Sequence, residues 1–163
     1  MTPPYRVGDE LPPLEIPVTR TLIVAGAIAS RDYQDVHHDA ASAREKGSPD
    51  IFMNILTTNG LVGRYITDHF GPTAVLRKVA IRLGAPNYPG DVLRLTGRIT
   101  ELRTAEASPG GASSADASSD EVVDAVKAIE AVVQVTGGNG IGRHVTGTVA
   151  VTLPEPSAKR AGA

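Results

Sequence analysis

The chain has 163 residues, no cysteine, a formal net charge of −2 and 41% hydrophobic residues. That length favours one domain with a sizeable core, and so even a charge balance recommends neither nucleic acid nor an anionic membrane as a partner. Without cysteine there is neither a disulfide nor a thiolate metal site, and a cytoplasmic location is expected. The opening "MTPPYRVGDELPPLEIPV" lacks a basic region followed by an apolar run, so it does not read as a signal peptide. No apolar stretch reaches the roughly 18 to 20 residues needed to span a bilayer.

In chain order, "LEIPVTRTLI" predicts a short strand running into a helix. "TLIVAGAIASRD" has the small, apolar make-up of a packed helix, with a strand over "TLIVAGAIA" as the alternative. "DAASAREKG" predicts a short helix closed by Gly47. Ser48, Pro49 and Asp50 then predict the start of a helix of about twenty residues through "IFMNILTTNGLVGRYITDHFG". Ile51, Ile55, Val62, Ile66 and Phe70 recur there at helical spacing, and Gly60 and Gly63 would admit a close sheet. A helix so apolar is expected to be buried. The second half predicts four strands, in "TAVLRKVAIRLGA", "DVLRLTGRITELR", "AVKAIEAVVQVTG" and "GRHVTGTVAVTLP", with turns at "PNYPGD" and "GGNG". The serine- and glycine-rich residues 105–120 read as a flexible insertion and 155–163 as a frayed tail. The expectation is one domain over 1–163, of α+β class, with a curved antiparallel sheet around a long helix.

Candidate chemistry concentrates in "ASRDYQDVHHD", residues 29 to 39, which holds two of the 4 histidines. An Asp32 carboxylate and a neutral His37 imidazole, with ordinary pKa values of ~3.9 and ~6.5, can coexist near pH 7 on one wall of a cleft. That pairing can take a proton from water and return one to carbon. On the residues alone, a solvated loop that caps the next helix through Asp39 is the favoured reading. His37, His38 and Asp39 are consecutive and their side chains point apart, so no metal site is expected. There is no GxSxG elbow and no Walker-type phosphate loop. His38 reads as a rim or structural residue, Asp35 as solvated or capping, and His69 and His144 as surface or core residues.

"RDYQDVHHD" resembles the Asp-x-x-x-x-His-x-Asp signature of the MaoC-like hydratases, and "APNYPGD" resembles the Pro-x-x-x-Gly-Asp turn of that family. The resemblance implies a hotdog fold with the predicted long helix at its centre. It also implies a catalytic pair of Asp32 and His37, with Asp39 as the trailing acid. Where the common form reads Ile-Ala-His-Gly-Met, this chain has Ile51-Phe52-Met53-Asn54-Ile55. The expected oxyanion donor is then the Asn54 backbone N–H, with Tyr33, Ile51, Phe52 and Met53 along the substrate. "GSPDIFMNILTTNGLVGRYITD" and "GPTAVLRKVAIRLGAPNYPGD" are similar, within that family, to the small catalytic subunit of the two-chain hydratases of bacterial cholesterol side-chain degradation. This implies hydration of a steroid enoyl-CoA by a heterotetramer with a larger MaoC-like chain. No cofactor is implied, because CoA is part of the substrate. The alternatives are a homodimeric (R)-specific hydratase of straight-chain enoyl-CoA and a non-catalytic acyl-CoA-binding subunit.

Overall fold

A computed structural model describes residues 5–106 and 127–154. The elements run β1 (Glu10–Pro17), α1 (Arg20–Ala29), a 3-10 turn (Asp35–His37), α2 (Ala40–Glu45), α3 (Ile55–Phe70), β2 (Val75–Leu83), β3 (Val92–Glu106), β4 (Lys127–Gly138) and β5 (Arg143–Pro154). The strands form one sheet in the order β1-β3-β4-β5-β2, and every neighbouring pair is antiparallel. This is the expected α+β arrangement of a sheet wrapped on a long helix, and "TLIVAGAIA" is helix rather than strand.

Strand patterning explains which face of the sheet is covered. In β3, Leu93, Leu95, Gly97 and Ile99 are buried while Val92, Arg94, Thr96, Arg98 and Thr100 are exposed. The period-two alternation commits one face to the core and leaves the other to solvent. The buried face receives Leu61, Val62, Tyr65, Ile66 and Phe70 of α3, and Val133, Val135, Val149 and Val151 continue the core across β4 and β5. Gly97 makes the contact close: a Cβ there would lie 3.0 Å from Cε1 of Tyr65. The Tyr65 hydroxyl donates to the Leu11 carbonyl at 3.3 Å, and burial pushes its pKa up to about 12.

Three expectations about the long helix need correction. Its first residue is Ile55, because Asn54 has extended backbone (φ −78°, ψ 163°) and its side chain accepts from the Thr57 N–H. Residues 51–54 are therefore not helical. Asp50 instead accepts from the Ile51 N–H at 2.8 Å and pairs with Arg20 of α1. The helix is amphipathic rather than buried all round, with Ile55 and Leu56 on its exposed side. Of the two glycines expected to admit a sheet, Gly63 does so, with Leu76 of β2 at 3.3 Å from a Cβ built there, whereas Gly60 faces open space.

Ala105 and Glu106, assigned by sequence to the insertion at 105–120, pair with Ala128 and Lys127 at the end of β3. The remainder of that stretch and the tail at 155–163 lie outside the described residues. The two sheet edges differ: β1 carries Pro12, Pro13 and Pro17, which cannot donate to a further strand, and β2 has none.

Candidate active site

The site begins at the end of α1. Asp32 N–H donates to the Ala27 carbonyl at 2.9 Å and Arg31 N–H donates to the Ile28 carbonyl at 3.0 Å. These are the two crossed bonds of a Schellman closure, and they require a left-handed residue between helix and exit. Arg31 supplies it with φ 58°. A non-glycine residue there costs on the order of 1 kcal/mol or more, so the conformation persists because its surroundings fix it. The closure places the Asp32 side chain, 20% exposed, against the amino terminus of α3.

His37 comes from the 3-10 turn that follows. Its Nδ1 lies 2.7 Å from the Phe52 carbonyl oxygen, and the Phe52 N–H returns a bond to the Val36 carbonyl at 3.2 Å. A carbonyl only accepts, so Nδ1 carries the hydrogen and the neutral ring presents the lone pair of Nε2. That nitrogen is 3.3 Å from Asp32 Oδ2. Two acceptors at this separation require a proton between them, or a donor that serves both. The Phe52 ring stands edge-on to the His37 ring, with centroids 5.0 Å apart, and closes the other side of the imidazole.

Asp32 is held ionised. Its pKa is lowered chiefly by the hydrogen bond from the Asn54 side-chain amide, with smaller help from the Gln34 N–H and the His37 ring, while burial acts in the opposite sense. The Asn54 Nδ2 donates to Asp32 Oδ2 at 3.0 Å and to Ser30 Oγ at 2.9 Å. Helix α3 starts beside this carboxylate, and the positive end of its dipole favours negative charge there.

A close crossing of α1 and α3 sets these distances. A Cβ on Gly26 would lie 2.2 Å from Thr57 Oγ1, so only glycine lets the end of α1 approach Asn54 this closely. The turn at "APNYPGD" fixes residues 51–54 from the other side. Met53 N–H donates to the Asn87 carbonyl at 3.0 Å, and Asp91 folds that turn by accepting from the Tyr88 N–H at 2.8 Å. Thr58, one turn into α3, donates through its hydroxyl to Nε2 of the buried His144 at 2.9 Å, and His144 Nδ1 donates to the Ala85 carbonyl at 2.6 Å.

The structure thus brings Asp32, His37, Phe52 and Asn54 together. Tyr33 is next to them and exposed, with its carbonyl 3.3 Å from His38 Nε2. Ile51 and Met53 are sealed in the core behind Phe52, so their side chains support the site from below rather than lining it. Asp39 caps α2, accepting from Ala41 and Ser42 N–H groups at 2.8 and 3.2 Å, which is the structural role that the sequence left open for it. Asp35 pairs with Lys46 at 3.3 Å on the surface. Sequence reasoning missed the Asn54 side chain, although an asparagine ahead of "ILTT" is a recognisable N-cap signal. It also missed Gly26 and the left-handed Arg31, for which one sequence carries no local mark. Among the described residues, no group of three or more His, Asp or Glu side chains converges to hold a metal ion, and no helix is long and apolar enough to cross a membrane.

No family model matches the chain. It is similar to the "3-oxo-4,17-pregnadiene-20-carboxyl-CoA hydratase beta subunit" of Mycobacterium tuberculosis, with 40% identity over 147 residues, 90% of this chain and 95% of that one. Among solved structures it is similar to a chain of the ChsH1-ChsH2 complex from Mycobacterium tuberculosis, with 38% identity and a TM-score of 0.73, covering 94% of this chain and 99% of that one. The fold is also that of the (R)-hydratase from A. caviae involved in PHA biosynthesis, with a TM-score of 0.71 at 18% identity over 93% of this chain and 98% of that one.

Proposed function

The chain belongs to the MaoC-like hotdog hydratases, and on that premise we propose that it is the catalytic subunit of an enoyl-CoA hydratase acting on a steroid side-chain thioester. The observation that carries the chemistry is the 3.3 Å approach of Asp32 Oδ2 to His37 Nε2 while His37 Nδ1 is committed to the Phe52 carbonyl. A water that donates one hydrogen to each of these acceptors satisfies both. Its oxygen lone pairs are then turned outward toward an electrophile.

As that oxygen bonds to Cβ of the enoyl thioester, one of its protons passes to His37 Nε2. The π electrons of the Cα–Cβ double bond move toward the thioester oxygen. Charge develops there beside the backbone N–H of Asn54, at the positive end of α3, where a fixed donor is worth most. The proton taken up at His37 Nε2 is then returned to Cα, with the ionised Asp32 beside it helping to deliver it, so H and OH arrive on one face and His37 is neutral again. The sum is one water added, with no electron transferred. No metal or organic cofactor is needed, because CoA comes with the substrate and the thioester carbonyl already activates Cβ. Tyr33 and Phe52 flank the acyl group, while Ile51 and Met53 shape the wall from behind.

The substrate class and assembly follow from the relatives: one acts on a pregnadiene-carboxyl-CoA and the other comes from a two-chain complex. The second hotdog unit is a larger MaoC-like chain that completes the CoA groove, in a two-plus-two heterotetramer. The enzyme works in the cytoplasm, in keeping with a chain that holds no cysteine. The test is co-expression with such a partner, followed by mass measurement by light scattering and hydratase assays on a steroid enoyl-CoA and on crotonyl-CoA. Activity on the steroid thioester that depends on the partner is the expected result. A fully active homodimer preferring crotonyl-CoA would transfer the chain to the straight-chain (R)-specific hydratases. Acyl-CoA binding without turnover in any assembly would make it a non-catalytic subunit.

A further inference from the structure

We propose that the side chain of Asn54 is a positioning residue that holds the Asp32 carboxylate turned toward His37. This is distinct from the role given above to the Asn54 backbone N–H, and it rests on the reading of Asp32 and His37 as the catalytic pair. Asn54 is buried, 2% exposed, and every polar group of its side chain is engaged. Oδ1 accepts from the Thr57 N–H at 2.9 Å, while Nδ2 donates to Ser30 Oγ at 2.9 Å and to Asp32 Oδ2 at 3.0 Å. Reversing the amide would set its oxygen against a carboxylate and its NH2 against a backbone N–H, so the orientation is determined by its neighbours.

The three bonds select asparagine. Serine or aspartate in this place would still cap α3. Serine cannot extend a donor to Asp32, and aspartate would bring a second carboxylate to within hydrogen-bonding distance of the first. The oxygen that Asn54 holds is also the one that faces His37 Nε2, so the bond acts where the proton moves. The other donor to Asp32, the Gln34 N–H, reaches Oδ1 at 3.4 Å, which is long for a hydrogen bond. Ser30 completes the linkage: it accepts from Asn54 and donates to the Gly26 carbonyl at 2.7 Å, in the same turn where α1 crosses α3. One amide therefore couples the start of the central helix to the carboxylate at the end of its neighbour. Any shift of one helix against the other would be felt at the distance between Asp32 and His37.

The experiment uses the assembled enzyme and measures kcat, KM and the pH profile for Asn54→Ser and Asn54→Asp, with Asp32→Asn beside them. Asn54→Ser keeps the cap and the backbone N–H, so its melting temperature and KM should stay close to those of the parent. Its kcat should fall about ten- to a hundredfold, the range spanned by a hydrogen bond to a charged group. In Asn54→Asp two carboxyl groups share one site and one of them takes up a proton more readily, so kcat falls further and its acid limb moves to higher pH. An Asn54→Ser enzyme with parental kcat overturns the proposal. So does an Asn54→Asp enzyme whose acid limb does not move, even if it is slow, because a simple cap would leave that limb in place. Should Asp32→Asn itself retain full turnover, the assignment of the catalytic pair fails instead, and the positioning role falls with it.

Discussion

His37 and His144 are built alike up to their last nitrogen. Each donates from Nδ1 to a backbone carbonyl, at 2.7 Å to Phe52 and at 2.6 Å to Ala85, and each is buried. In both, that bond fixes the neutral tautomer with a lone pair on Nε2. At His144 the lone pair is met by the Thr58 hydroxyl at 2.9 Å, a donor, and the ring is fully satisfied. At His37 it is met by Asp32 Oδ2 at 3.3 Å, an acceptor, and the ring is one proton short. Burial and a fixed tautomer are thus common to His144 and to His37, the proposed catalytic base, and the partner of the remaining nitrogen separates them.

The two regions should fail in different ways. Asp32→Asn and His37→Asn are each expected to cut turnover by at least ~100-fold, the usual scale for losing a general acid or base. Both replacements are polar and near-isosteric, so folding and assembly should be preserved in circular dichroism and light scattering. His144→Leu should show the opposite pattern. It takes the ring donor from the part-buried Ala85 carbonyl, at about 1–3 kcal/mol for a group left unpaired, and leaves the Thr58 hydroxyl with its 3.3 Å bond to the Asn54 carbonyl in place of the imidazole. A large drop in melting temperature is expected, with turnover per folded molecule falling far less than in the Asp32 variant. A His144 variant that folds normally but is inactive would erase the distinction.

Between the two lies Gly26→Ala, which forces a methyl group onto Thr57 at the crossing of α1 and α3. Overpacking of this kind costs roughly 1–3 kcal/mol, and here it also separates Asp32 from Asn54. Calorimetry and kinetics should therefore record a loss of both stability and turnover. Acid exposes the contrast further. Burial holds the His144 pKa below its ordinary value, against the opposing pull of the Ala85 carbonyl and Asp91. The folded state then binds fewer protons than the unfolded one. The stabilisation is fully present above the unfolded value near ~6.5 and is lost as pH falls from there toward the folded pKa. His69, also lowered by burial, adds in the same sense, and Asp32 does so only in the carboxylate range beneath it. Melting temperature against pH should slope less between those ranges in the His144 variant than in the parent. The smallest effect is expected from His38→Asn, because His38 is exposed and its ring lies 3.3 Å from the Tyr33 carbonyl, on the rim of the site. Its stability should change by no more than about 0.5 kcal/mol, and turnover should stay near that of the parent.

Much of this was legible in the residues, for identifiable reasons. Period-two alternation in β3 and the "PNYPGD" turn are local signals, so the strands and their turns were readable one at a time. That Asp32 and His37 come together was legible through the spacing of a motif, not through anything their neighbours dictate. What escaped was non-local. That Asn54 reaches back to Asp32 depends on a helix crossing set by Gly26, and no periodicity reports which glycine lies at a crossing. The helix start was misplaced to Ser48–Asp50 because proline and aspartate imitate a cap, while the true cap at Asn54 is confirmed only by its bond to Thr57. Ile55 and Ile51 looked like one apolar stripe, but the extended stretch between them turns one to solvent and the other to the core.

The most direct test of a single water shared by Asp32 and His37 is a double-mutant cycle on kcat/KM in the assembled enzyme. Two groups that act on one water make a unit, so the Asp32→Asn/His37→Asn double variant should be about as slow as the slower single variant. Losses that multiply, with the double variant slower by the product of the two single factors, would mean that the groups act independently and would contradict the shared water.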